Sequence, residues 1–122
     1  MKKREDLEEK RLREKAMVER VEQLLQENAY KKMPSTREIT IVAGMSHYSV
    51  LPAFQEIYGL TMKEYHKKIK VEKAMELIKK DKLLLKDYAY RVGYADLNSL
   101  EYQLKTRFGI TAGEARKRYH GE

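Results

Sequence analysis

Apolar residues along this chain recur at helical rather than strand spacing. Between about Arg13 and Asn28, Met17, Val18, Val21, Leu24 and Leu25 fall three to four apart, which defines one buried face of a helix that ends before Pro34. Thr61 opens a second long stretch, in which Met62, Tyr65, Ile69, Ala74, Leu77 and Ile78 keep a helical face while Lys63, Lys67, Lys68, Lys70, Lys73, Lys79 and Lys80 occupy the others. At 1.5 Å rise, roughly 19 such residues make a rod of about 29 Å. The only prolines, Pro34 and Pro52, and the glycines at 44, 59, 93, 109, 113 and 121 punctuate these stripes. Almost no strand is predicted, and the expected class is all-α.

An internal duplication organises the rest. Ile39-Thr40, Gly44-Met45, Val50, Phe54, Tyr58-Gly59-Leu60-Thr61 and Tyr65 are echoed by Tyr88-Ala89, Gly93-Tyr94, Leu100, Leu104, Phe108-Gly109-Ile110-Thr111 and Ala115. The offset is 49 residues up to the Gly pair and 50 from Val50 onward, so the second copy carries one extra residue in its turn. Each copy reads as a short helix, a glycine turn, a second helix of about three turns, then Gly-apolar-Thr, in which glycine stops one helix and threonine caps the next. The expected architecture is therefore two helix-turn-helix subdomains, 13–60 and 81–122, joined by a linker helix over 61–80. A charged extension over 1–12 precedes them.

That extension alternates blocks of Lys/Arg and Glu/Asp with only Leu7 and Leu12 apolar, which suits a solvated helix extension or a frayed tail. A coiled-coil strand fits less well, because Arg11 and Glu14 break the heptad through Leu7, Val18, Val21 and Leu25. Pro52 admits two local readings. With Ser46 as cap it sits six positions into its helix, at a cost of about 3 kcal/mol unless the helix bends; with Ser49 as cap it lies in the tolerant first turn. Of the two, we expect the former.

Charge sharpens the picture. The 122 residues carry 26 Lys and Arg against 19 Asp and Glu, a net of +7, which favours a polyanionic partner. Residues 33–59 hold one Arg and two Glu, a net of −1, whereas residues 60–82 hold eight Lys against three Glu and one Asp, a net of +4. Phosphate attraction thus concentrates on the linker. The absence of cysteine removes disulfides, thiolate nucleophiles and Cys-based zinc sites, and fits a reducing compartment. No apolar signal core follows the basic start, and no run approaches the ~20 apolar residues that span a bilayer. The expectation is a cytoplasmic, nucleoid-associated protein without membrane contact. No Gly-rich phosphate loop, paired carboxylates or Ser-His-Asp arrangement points to catalysis, no cofactor is expected, and the only histidines, His47, His66 and His120, give no metal-ligand spacing.

The second copy, IKKDKLLLKDYAYRVGYADLNSLEYQLKTRFGITAGEARK, resembles the signature of the AraC/XylS family of bacterial regulators: Ala89, Gly93, Tyr94, Asp96, Leu100, Phe108, Gly109, Thr111 and Arg116 fill its positions. The resemblance covers about residues 13–119. It implies seven helices, with recognition helices near 47–58 and 97–108 reaching successive major grooves on one face of duplex DNA. It also implies base-facing roles for His47, Tyr48, Leu51, Leu97, Asn98, Ser99 and Tyr102. Arg37, Lys63, Lys67, Lys86, Lys105 and Arg107 are the candidate phosphate contacts. Duplex DNA and RNA polymerase are the implied partners, for a monomer or for the C-terminal piece of a larger regulator. Ala112 and Ala115 depart from the family's usual Pro and aromatic, which alters local packing only. Leu51 and Pro52 depart more seriously, because neither supplies the bidentate hydrogen bonds that separate G from A. A rival expectation follows, that the first recognition surface serves a protein partner. The aromatics Phe54, Tyr58, Tyr65, Tyr88, Tyr94 and Phe108 are expected in the core rather than stacked on bases.

Overall fold

A computed structural model describes residues 2–121, with side chains from Asp6 onward. It contains seven helices and, among the described residues, no strand: α1 (Lys2–Glu27), α2 (Thr36–Ala43), α3 (His47–Tyr58), α4 (Met62–Lys80), α5 (Leu85–Val92), α6 (Leu97–Phe108) and α7 (Ala112–His120). The all-α class and the two helix-turn-helix motifs with their long linker helix are as the periodicity predicts. Helix α1 starts some three turns earlier than the apolar stripe alone marks. Its first turns are rich in good helix formers, and Lys10 lies 3.9 Å from Glu14 across one turn. The described extension is thus helical rather than frayed, with Leu7 and Leu12 exposed. Met1 and the side chains of residues 2–5 lie outside the described residues.

The chain divides into two compact units, Met1–Asn28 with Met33–His66 and Ala29–Lys32 with Lys67–Glu122. In the first, Met17, Val18, Val21 and Leu25 of α1 are buried together with Ile39 and Ala43 of α2 and Val50 and Phe54 of α3. Arg20 fastens α1 to the end of α2. Its guanidinium donates to the carbonyls of Val42 at 3.1 Å and Ala43 at 2.9 Å, two of the acceptors that a helix C-terminus leaves unpaired. At the start of α4 the Tyr65 hydroxyl donates to Glu22 at 2.6 Å and accepts from Gln26 at 3.2 Å. Burial first, and the neighbouring Glu22 carboxylate second, push this phenol up to about 12. Tyr65 also stands edge-on to Phe54 with ring centroids 5.5 Å apart. His66, buried, pairs through Nε2 with the Asn28 carbonyl at 2.9 Å.

The second unit packs Val71, Ala74 and Ile78 of α4 against Tyr88, Ala89 and Val92 of α5, Leu100 and Leu104 of α6, and Ala112 and Ala115 of α7. Tyr88 holds the α4–α5 connection, donating to the Asp81 carbonyl at 2.6 Å and accepting from the Leu83 amide at 2.9 Å. Arg116 closes the same connection from α7 through the Leu83 carbonyl at 3.0 Å.

Two expectations need correction. Lys70 does not join the solvated lysines of α4: it is buried, its ammonium donates to the Val92 carbonyl at 3.2 Å and lies 5.5 Å from the centroid of the Tyr94 ring. Burial holds its pKa below the usual lysine value. The carbonyl at the end of α5 and the ring face offset the desolvation that would otherwise expel the charge. Phe108, the last residue of α6 before its Gly109 cap, is 40% exposed and not part of the core.

Candidate nucleic-acid interface

The two readers are set by matching local chemistry. Ser46 caps α3, its side chain accepting from the Ser49 amide at 3.3 Å; Asp96 caps α6, accepting from the Ser99 amide at 2.8 Å. Fifty residues separate both the caps and the capped serines, in keeping with the duplication. The Ser99 amide, and then its hydroxyl, hold the Asp96 carboxyl below its ordinary value. Asp96 was available from the sequence as an acidic residue just before an apolar-periodic run, but its capping role was not drawn from it. With Ser46 as cap, Pro52 lies inside α3, and the Tyr48 carbonyl has no amide four residues on to receive. The reading with Ser49 as cap does not hold.

Each reader follows a glycine turn. Gly44 and Gly93 both adopt the left-handed backbone, at φ 70° and 88°. Their surroundings differ. Around Gly44 a Cβ would meet nothing within 4 Å, whereas at Gly93 it would overlap the Tyr30 carbonyl oxygen and stand 3.0 Å from the Lys70 ammonium.

Along α6, Asn98 and Tyr102 lie one turn apart and both are exposed, Tyr102 by 69%. Lys105 continues that face at the next turn. Arg107, nine residues from Asn98, falls on the opposite side of α6 although it too is exposed. Leu97 packs against the core of the second unit, and Ser99 is half-buried with its hydroxyl tied to the Asp96 cap. The outward stripe of α6 is thus an amide, a phenol and an ammonium.

In α3 the positions equivalent to Asn98 and Tyr102 are Tyr48, 85% exposed, and Pro52, also exposed. Leu51 stands beside them at 39%, and His47 is half-buried with its Nδ1 shielded and unpaired. Arg37 and Lys86, equivalent residues in the first turns of α2 and α5, are exposed, as are Lys63 and Lys67 on α4. None of these cations is drawn into the cores as Lys70 is. Among the described residues no group of His, Cys, Asp or Glu could hold a metal ion, and no helix is long and apolar enough to cross a membrane.

Two glycine-turned helix pairs, each presenting a capped and partly exposed second helix, define a double helix-turn-helix protein. A family profile described as a helix-turn-helix domain matches residues 39–118. The chain belongs to the AraC-type family of helix-turn-helix DNA-binding domains. Its fold is similar to that of a transcriptional regulator with an AraC-type DNA-binding domain from Chromobacterium violaceum, at 17% identity over 87% of this chain and 94% of that one, with a TM-score of 0.77. It is also similar to the C-terminal domain of AraT, a response regulator from Geobacillus stearothermophilus, at 22% identity over 84% of each chain and a TM-score of 0.74. The DNA-binding domain of AdpA, a global transcriptional factor crystallised with a target DNA, matches at 17% identity over 84% of this chain and 91% of that one, again with a TM-score of 0.74. No curated protein sequence matches.

Proposed function

We infer that this protein is a sequence-reading duplex DNA binder that regulates transcription by recruiting or obstructing RNA polymerase. The observation that carries the reading is the outward stripe of α6, where Asn98 and Tyr102 project from a helix fixed by the Asp96 cap and the Gly93 turn. Asn98 has the donor and acceptor pair that recognises adenine in the major groove, and Tyr102 reaches backbone or base edge from the next turn. Lys105 continues this face, and Arg37, Lys63, Lys67 and Lys86 are the exposed cations placed for phosphates; Arg107 serves only a strand passing the far side of α6. Direct readout rests more on the second unit, because Tyr48, Leu51 and Pro52 offer little hydrogen bonding. The matching fold of AdpA, which holds a target DNA, supports the same reading.

The test is selection from a random duplex pool at two salt concentrations, with the wild-type chain and with Asn98→Ala and Tyr102→Ala. Loss of Asn98 is expected to cost about 1–3 kcal/mol of discrimination at one base position while non-specific binding persists. Exposure of Tyr48 and Leu51 favours a second reading, a protein-interaction surface on α3. That reading prevails if neither substitution changes the selected sequences.

A further inference from the structure

The first unit contains a groove of about 380 Å³ lined by α2, the start of α3 and the start of α4. Its apolar wall includes Met33, Ile39 and Leu51, and its polar rim includes His47, the Met62 end of α4 and Lys63. A volume of this size is in the range of small-molecule sites.

The duplication provides an internal reference for what belongs there. In the second copy, Glu101 stands where the first has Leu51, and its carboxylate accepts from the Ala112 amide at 3.0 Å, at the first position of α7. Tyr88, wholly buried, stands where the first copy has Ile39. The second copy thus fills the equivalent space with an aromatic body and a carboxylate seated on a helix N-terminus. In the first copy both fillers are replaced by shorter apolar chains. At the equivalent end of α4 the Glu64 carboxylate accepts from the Thr61 amide, at 3.0 Å, and the Met62 amide, equivalent to that of Ala112, is one of the first-turn donors that a helix leaves without a backbone acceptor. Lys63, where the second copy has Gly113, adds a positive charge beside it. His47 lines the same groove, with its unpaired Nδ1 shielded from solvent.

We propose that this groove binds a small organic carboxylate with an apolar body, the carboxylate at the α4 N-terminus beside Lys63 and the body against Ile39, Leu51 and Met33. Such a ligand reproduces from outside what Glu101 and Tyr88 supply within the chain in the second unit. The site uses His47 and Leu51 of the first reader, so its occupant is positioned to act as an effector.

The test needs no DNA. The ¹⁵N-labelled protein is titrated at fixed ionic strength with 4-phenylbutyrate, with the neutral 4-phenylbutyramide, and with inorganic phosphate. The expected result is saturable movement of the Met62 and Lys63 amide signals with the carboxylate, at least about ten-fold weaker with the amide. Leu51→Glu, which supplies the carboxylate from within, abolishes the response. Ile39→Tyr, which restores the aromatic filler, does the same by a separate route should the first variant fail to fold. Absence of a saturable shift on the order of 10 mM ligand overturns the proposal. So does an equal response to the amide, or a carboxylate response that leaves the Ile39 and Leu51 signals unmoved and is matched by inorganic phosphate, since the DNA reading alone already puts phosphate on Lys63.

Discussion

Gly44 and Gly93 occupy matching turns, and comparing them isolates the cost of close approach from that of backbone conformation. Both have positive φ, so an added Cβ strains each by about 1 kcal/mol, the ordinary penalty for an L-residue in the left-handed region. Gly44→Ala has only this term, since nothing lies within 4 Å of the new methyl, and reduced freedom of the unfolded chain offsets part of it. In Gly93→Ala the methyl would overlap the Tyr30 carbonyl oxygen and stand 2.8 Å from its carbon, which is backbone and cannot swing aside. Forced repacking of that kind costs a further 1–3 kcal/mol or so, and displaces the Lys70 ammonium from the Val92 carbonyl as well. The expected losses are about 1 kcal/mol at Gly44 and about 2–4 kcal/mol at Gly93. Urea denaturation followed by circular dichroism reads both. Equal losses for the two variants would refute the reasoning, because the Tyr30 approach would then contribute nothing.

Other expectations are separable. Replacing Pro52 by Ala lets residue 52 donate to the Tyr48 carbonyl, and thermal unfolding is expected at higher temperature, by an amount equivalent to about 1–3 kcal/mol. Lys63→Ala and Lys86→Ala are each expected to lower the slope of log affinity against log salt by about 0.9 per lost phosphate contact, without altering the preferred sequence. Asp96, held below its ordinary value by Ser99, supports α6 fully above the unfolded carboxylate pKa and loses that support as pH falls through its lowered native value. The Ser99 amide signal is expected to titrate below pH 3.8 in the wild type and to lose this step in Asp96→Asn.

The periodic stripes, the Gly turns and the 49- and 50-residue echoes made the helices and their order legible, because burial of one helix face and left-handed turns both impose residue types at fixed spacing. The buried polar contacts were not legible. Lysine composition places Lys70 outside with its neighbours, and only the folded chain reveals that a helix-end carbonyl and an aromatic face await its ammonium. The roles of Arg20 and His66 are illegible for the same reason, since their partners are backbone carbonyls 23 and 38 residues away that carry no side-chain signature. At the interface the sequence indicated the right stretch of α6 but not which way each side chain points. Leu97, Asn98 and Ser99 are consecutive, and helix rotation leaves only Asn98 of the three fully exposed.

Tyr30 presses on the Gly93 turn from a four-residue segment, Ala29–Lys32, that groups with the second unit although α1 and α2 on either side group with the first. A fragment beginning at residue 67 would therefore carry all three later helices and still lack part of its own floor. Cutting this protein at its long helix does not yield a self-sufficient half, and any effort to transplant the second reader alone must bring along a strip of chain from far upstream.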